Sequence, residues 1–298
     1  MRFFGKTHFD FVGRRRQAFL VSALIIGAGL ISLVIKGGPD LSIDFEGGIL
    51  VQLRFNKPVT SEVLRQALDD AGYAKSEIQT FKSRNEVLIR APVGEGEDVA
   101  EAIKTSIGET LTDNPFEVRR EELVGPKIGR ELGKKAILAI VFALCAILVY
   151  IGWRFEFRFA VAAVAALFHD VLVTLGLFSL TGREISLAVI AAFLTIVGYS
   201  LNDTIVVFDR IREDLRKYHR ERYEGVINAS INETLSRTVM TSLTTLVVVL
   251  FLFFMGGEVL RDFSFGLLVG VLVGTYSSIF VASPVLVEWH GKSPVRRR

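Results

Sequence analysis

The sequence predicts a multi-pass α-helical membrane protein, with six transmembrane helices and one small extracytoplasmic α+β domain. Three observations lead there. Half of the 298 residues are hydrophobic and only 22% are charged, too apolar a balance for an ordinary soluble domain. The apolar residues gather in six runs close to the roughly 20 residues that cross a hydrocarbon core. One polar interval, residues 36–135, instead alternates strand-like and helix-like periodicities.

Residues 1–17 form a tail holding Arg2, Lys6, Arg14, Arg15 and Arg16, and the first apolar run covers 18–35. It has no small-x-small cleavage site before residues 36–40, so it reads as a retained anchor and not as a removed signal peptide.

Within the polar interval, Ile49, Val51, Leu53 and Phe55 alternate with Leu50, Gln52 and Arg54, the period of a strand with one buried face. A helix follows. Thr60 or Ser61 is placed to cap it, Val63, Leu64, Ala67, Leu68 and Ala71 form its apolar stripe, and Gly72 ends it. Glu77–Phe81 and Glu86–Ala91 read as short strands joined through Ser83, Arg84 and Asn85. A second helix over 97–111 spaces Val99, Ile103, Ile107 and Leu111 four apart, and Phe116 and Val118 begin a last strand. The order β-α-β-β-α-β is the split ferredoxin-like arrangement, two helices on one face of an antiparallel sheet. That fold names no function. The interval carries no paired His, no nucleophile with a base and no Gly-rich phosphate loop, which favours a binding or mechanical module over an enzyme.

Five further runs, 136–153, 159–180, 185–208, 239–255 and 263–289, precede a basic tail at 290–298. Lys and Arg gather in alternate links. They are the N-terminal tail, then Arg154 and Arg158, then Arg210, Arg212, Arg216, Lys217, Arg220 and Arg222, and finally Arg296, Arg297 and Arg298. The opposite short links carry one each, Arg183 and Arg261. Positive-inside bias therefore puts both termini in the cytoplasm. The net charge of +3 follows from this bias and implies no nucleic-acid affinity. Residues 210–233, inside the cytoplasmic segment 209–236, are charged with apolar interruptions and are expected to form an amphipathic helix along the membrane surface, with a plain solvated connector as the alternative. The single cysteine, Cys145, has no metal-ligand company and is expected to be a small packing residue; no metal site and no cofactor is expected.

The ionisable residues inside the runs are His169, Asp170, Asp203 and, at the entrance to the fifth, Arg237. A charge at a helix centre costs roughly 2.5–3.5 kcal/mol on insertion scales, so each needs a reason. Asp170 lies ~16 Å into its run, near the midplane, where it must face protein or water. With His169 it either hydrogen-bonds neighbouring helices or takes part in ion movement. Adjacent helical residues point ~100° apart, so the two are not expected to act as a dyad toward one point. Asp203 shares a face with Thr195, Tyr199 and Ser200, the stripe of a lining and not of a lipid contact. A carboxyl group shielded from water favours its neutral form, so this one can take and release a proton as its surroundings change. Arg237 heads a second stripe with Thr241 and Thr244, and pairing with Arg237 is expected to hold Asp203 ionised until the two part. Gly266, Gly270 and Gly274, four apart, allow close helix packing, either inside this chain or against a second subunit.

Six stretches carry a family resemblance: IDFEGG at 43–48, LVGPKIGREL at 123–132, HD at His169 and Asp170, VGYSLNDTIVVFDRIRE at 197–213, NETLSRTVMTSLTTL at 232–246, and FSFGLLVG with GTYSSIFVASP through Pro284. In this order they resemble the SecF family of bacterial protein-export subunits over nearly the whole chain. The resemblance implies a partner, SecD, with which such a subunit forms one transporter of the resistance-nodulation-division superfamily. It also implies association with the SecYEG channel, YajC and YidC, in the bacterial cytoplasmic (inner) membrane. The work implied is to draw a preprotein outward with the proton-motive force after the SecA motor has started it. Carried onto this sequence, the proton pathway comprises Asp203 and Arg237, with Asn202, Asp170 and Thr241 as further polar positions. Asp44, Phe45, Gly47 and Gly48 mark the junction of the first span with the outside domain. No nucleotide-binding motif is present, so ATP acts elsewhere.

Two rival readings use the same residues. A proton-coupled half-transporter for lipids or small molecules would need an outside domain with an apolar cavity. An intramembrane aspartyl protease would pair Asp170 with Asp203, but Ser200, Leu201 and Asn202 stand where its GxGD signature is required.

Overall fold

A computed structural model describes residues 7–73, 76–81, 85–92, 98–218 and 221–292. Ser83 and Arg84 of the expected hairpin turn, the expected helix start at 97, and the basic residues Arg2, Lys6, Arg220, Arg296, Arg297 and Arg298 lie outside them. In chain order the elements begin with α1 (Arg15–Lys36), α2 (Ile43–Glu46), β1 (Gly48–Phe55), α3 (Ser61–Asp70), β2 (Glu77–Phe81), β3 (Glu86–Ala91), α4 (Val99–Thr110) and β4 (Phe116–Val124). They continue with α5 (Pro126–Arg154), α6 (Phe157–Thr181), α7 (Leu187–Lys217), α8 (Tyr223–Met255), α9 (Gly257–Ser277), one π-helical turn (Ser278–Ala282) and α10 (Ser283–Lys292). The chain divides into two compact units: Leu41–Leu138, and Met1–Asp40 with Ala139–Arg298.

The smaller unit is an antiparallel sheet of order β2-β3-β1-β4. Its core joins Val51, Leu53 and Ile89 of the sheet to Leu64, Ala67 and Leu68 of α3 and Ile103 and Ile107 of α4. Burying each large aliphatic side chain stabilises the unit by about 1.5–3 kcal/mol. Helix α4 starts where the Asp98 carboxylate accepts from the Glu101 backbone N–H, and α3 gives way to Gly72 at φ 85°. Three expectations are corrected. Thr60 sits at the cap of α3 but makes no side-chain capping bond. Val63 is exposed, so the stripe of α3 is narrower than expected. Strand β1 buries both faces over most of its length and not one: Leu50 and Gln52 are also covered, Gln52 hydrogen-bonding Glu86 of the adjacent β3.

In the larger unit and its continuation in α5, six helices are long and apolar enough to cross a membrane, the last being the composite of α9, the π turn and α10. The protein is thus a multi-pass helical membrane protein with an α+β domain. Helices α6 and α7 and the composite helix form the bundle centre; α1, α5 and α8 leave most of their surface exposed, as lipid-facing helices do. Side-chain pairing fixes their directions. Ser22, Gly29 and Ser32 of α1 meet His169, Gly176 and Ser179 of α6, which makes those two helices parallel. Asp203 and Tyr199 of α7 meet Thr238 and Ser242 of α8, which makes that pair antiparallel. The residues from 210 to 233 do not form a separate surface helix. They are the end of α7, a short connection and the start of α8, tied by Arg210 to Asp214 and Glu233 and by Ser230 to Asp214. Cys145 is exposed on α5 and is not a packing residue.

Candidate functional site

Two carboxyl groups lie inside the bundle, each enclosed by hydroxyls from other helices. Asp203 on α7 is 6% exposed. Its Oδ1 accepts from Thr238 Oγ1 of α8 at 2.7 Å, and its Oδ2 accepts from Ser278 Oγ of the π turn at 2.5 Å. Asp170 on α6 is 1% exposed. Its Oδ2 accepts from Ser200 Oγ of α7 at 2.5 Å and Ser277 Oγ at 2.8 Å, and its Oδ1 lies 2.9 Å from His169 Nδ1. His169 Nε2 in turn meets Ser22 Oγ of α1 at 2.9 Å. Buried polar groups of this kind must find partners, and here the partners come from four different helices.

Hydroxyls suit a group that changes protonation, because each can donate or accept. Ser278 Oγ has two acceptors in reach, Asp203 Oδ2 and the Thr275 carbonyl at 3.0 Å. When Asp203 is ionised the hydroxyl donates to it; when the carboxyl carries a proton, the hydroxyl can turn to Thr275 and accept. Ser277 has the same choice between Asp170 and the Gly274 carbonyl at 3.2 Å. The π turn beginning at Ser278 is locked by Ser283 Oγ donating to the Ser278 carbonyl at 2.9 Å, and such turns are frequent at functional positions.

Several expected juxtapositions differ. Arg237 makes no ion pair with Asp203; it is exposed on α8, while its neighbour Thr238 makes the direct contact. At 100° per residue only one of two adjacent side chains can face α7. Asn202 and Thr241 are also exposed, and the Thr241 hydroxyl returns to the Arg237 and Thr238 carbonyls. Thr195 is exposed with its hydroxyl on the Ala191 carbonyl, Ser200 serves Asp170, and Tyr199 reaches Ser242, so the expected stripe does not converge on Asp203. His169 and Asp170 hydrogen-bond one another, and their remaining atoms point to different helices, His169 to Ser22 of α1 and Asp170 to Ser200 and Ser277 of α7 and α9, so they do not converge on one point. Thr238, Ser278 and Ser22 were not legible as partners; each is a hydroxyl within an apolar stretch, a weak signal until the facing helix is known.

The glycines of α9 pack inside the chain. A Cβ on Gly266 would lie 3.3 Å from Ala192 Cβ, one on Gly270 would collide with Ile196, and one on Gly274 would stand 3.0 Å from Ser200 Cβ, so α7 and α9 interlock turn by turn. In the smaller unit, Ser42 Oγ accepts from the Asp44 N–H at 3.3 Å and starts α2. Gly47 and Gly48 take φ of 78° and 134°, which glycine alone adopts without strain. A Cβ on Gly129 of α5 would lie 2.8 Å from the Phe45 carbonyl, so the stretches 43–48 and 123–132 fit against one another there. Among the described residues no cluster of His, Cys, Asp and Glu is arranged to hold a metal ion.

Fold and site together define a multi-pass membrane protein whose bundle encloses ionisable groups and whose α+β domain follows the first span. The family described as "Protein export membrane protein SecD/SecF, C-terminal" matches residues 97–292, and "SecD/SecF GG Motif" matches 31–59. The chain belongs to the SecF family of this group. It is 51% identical to "Protein translocase subunit SecF" of Desulfurispirillum indicum, covering 95% of this chain and 92% of that one. To the subunit of the same name from Escherichia coli O157:H7 it is 39% identical, over 95% and 88%. A crystal structure of SecDF, a translocon-associated membrane protein from Thermus thermophilus, superposes with a TM-score of 0.88 at 41% identity, over 96% of this chain and 39% of that longer chain. SecDF in a super-membrane-facing form superposes with a TM-score of 0.70.

Proposed function

We propose that this chain is the SecF subunit of a SecD–SecF complex in the bacterial inner membrane. It associates with the SecYEG channel and uses the proton-motive force to promote preprotein translocation after SecA has begun it. YajC and YidC are further proposed neighbours. Both termini face the cytoplasm, in keeping with the Lys and Arg bias of the links, and the α+β domain faces outward, where it meets the emerging chain.

The observation that carries the reading is Asp203, a carboxyl group buried in a span and set between two hydroxyls, of which Ser278 has a second acceptor to turn to. Proton uptake rearranges the α7–α8 and α7–π turn contacts together. One elementary charge crossing 100 mV supplies about 2.3 kcal/mol, so a few protons suffice to shift a two-state domain. Asn202, Arg237 and Thr241, exposed on α7 and α8, would be unfavourable against acyl chains; they form the side on which SecD completes the proton path. Asp170 with His169 serves as the fixed tie between α1, α6, α7 and α9. The test is post-initiation export into membrane vesicles carrying SecD with the wild-type chain or its Asp203→Asn variant. A proton gradient accelerates export with wild type and not with the variant; equal acceleration in both refutes the proposal.

A further inference from the structure

At one end of the bundle, Arg154 of α5 and Asp209, Arg212, Glu213, Arg216 and Lys217 of α7 line a cleft of about 610 Å³. Four cations face two carboxylates, and those carboxylates are engaged: Asp209 with Arg154 at 3.3 Å, and Glu213 with Arg210, which lies outside the cleft, at 2.8 Å. Arg212 makes no ion pair among the described residues, and its Nε is buried without a hydrogen-bond partner. A guanidinium presents paired donors in a fixed fork that matches a phosphate, so a guanidinium without an ion pair, beside further cations, suits that ligand.

The depth of the cleft identifies the source of that phosphate. With 31 residues, α7 spans about 46 Å, well beyond the roughly 30 Å hydrocarbon core, so its charged last turns stand at the headgroup level. Trp153, next to Arg154, is 87% exposed and Phe157 is 74% exposed, while Tyr218 follows Lys217 at the other side. Exposed aromatic side chains at a helix end are what the membrane interface accommodates. We propose that this cleft binds the phosphate headgroup of an anionic phospholipid of the cytoplasmic leaflet. Arg212 and Arg216 take the phosphate, and the acyl chains lie along α5 past Trp153.

The experiment uses the full chain in detergent micelles with Trp289→Phe, leaving Trp153 as the only indole. Its fluorescence is titrated with dibrominated phosphatidylglycerol and with dibrominated phosphatidylcholine. Quenching by phosphatidylglycerol at several-fold lower mole fraction supports the site. Removing one cation near a membrane surface weakens anionic-lipid attraction about fivefold, so Arg212→Gln lowers the preference by about that factor and Arg212→Lys, which keeps the charge without the fork, restores only part of it. Arg16→Gln, an exposed cation outside the cleft, leaves the preference unchanged. Should Arg212→Gln lower the thermal midpoint, Arg216→Gln with Lys217→Gln gives the same reading without the buried group. Equal quenching by the two lipids, or a preference indifferent to the cleft cations, overturns the proposal. So does reversal of quenching by millimolar inorganic phosphate, which would mark a site for the free anion.

Discussion

Gly29→Ala tests the packing of α1 on α6 at its tightest point. A Cβ on Gly29 would stand 2.5 Å from the Gly176 Cα, a backbone atom that no rotamer change can move. Ordinary contact needs about 3.5 Å, so the helices must part by about 1 Å. The Ser22–His169 and Ser32–Ser179 bonds, at 2.9 and 2.8 Å, flank the crossing and lengthen with it. Overpacking of this kind costs about 1–3 kcal/mol, and taking about 2 kcal/mol at 2–4 °C per kcal/mol gives a fall of about 4–8 °C in Tm. Gly176→Ala, whose Cβ would meet Gly29 Cα at 2.9 Å, should fall less. Gly27 has nothing within 4 Å of such a Cβ, so Gly27→Ala should leave Tm level or raise it slightly. The assay is thermal unfolding of the full chain in micelles, followed by intrinsic fluorescence. If Gly29→Ala melts with Gly27→Ala, the close crossing is refuted.

Three further outcomes are expected. Gly129→Ala drives a methyl to within 2.8 Å of the Phe45 carbonyl and should lower the thermal midpoint by an amount corresponding to about 1–3 kcal/mol, whereas Gly125→Ala, with open space, should not. Ser277→Ala removes one of two hydroxyls on Asp170 Oδ2 and should cost about 1–2 kcal/mol in denaturant titration; wild-type stability would exclude that bond as a contributor. In the α+β unit, the Lys104 ammonium is hydrogen-bonded first to Glu101 and also to Glu121, which holds its pKa above the usual lysine value. A raised pKa means the contribution is complete at neutral pH and is lost as pH rises through the folded value. The small stability gap between wild type and Lys104→Gln, no more than about 1 kcal/mol for so exposed a pair, should close only at strongly alkaline pH.

The six spans were legible because lipid tolerates no unpaired backbone, so long apolar runs had one available structure. Their ends were less so. Pro126 starts α5 about ten residues before its apolar run, and α8 begins at Tyr223, because helix can continue into water where hydropathy gives no signal. The chain order of strands and helices in the α+β unit followed from periodicity, yet alternation could not show that the polar face of β1 buries Gln52, which hydrogen-bonds Glu86 at 3.1 Å. Asp203 and Asp170 stood out as charges in apolar runs. Their partners did not, since Thr238, Ser277 and Ser278 are common residues whose meaning comes only from the facing helix. For the same reason Arg237 looked like the partner of Asp203: charge is visible in a sequence, whereas the angle at which a helix presents it is not.

Ser277 and Ser278 are consecutive, yet they serve different acids, one toward α6 and the other toward α7. Their shared helix therefore works as a lever with two short arms. If α9 turned about its own axis, one acid would lose one of its two hydroxyls as the other was pressed closer, so the two would feel the same movement with opposite sign.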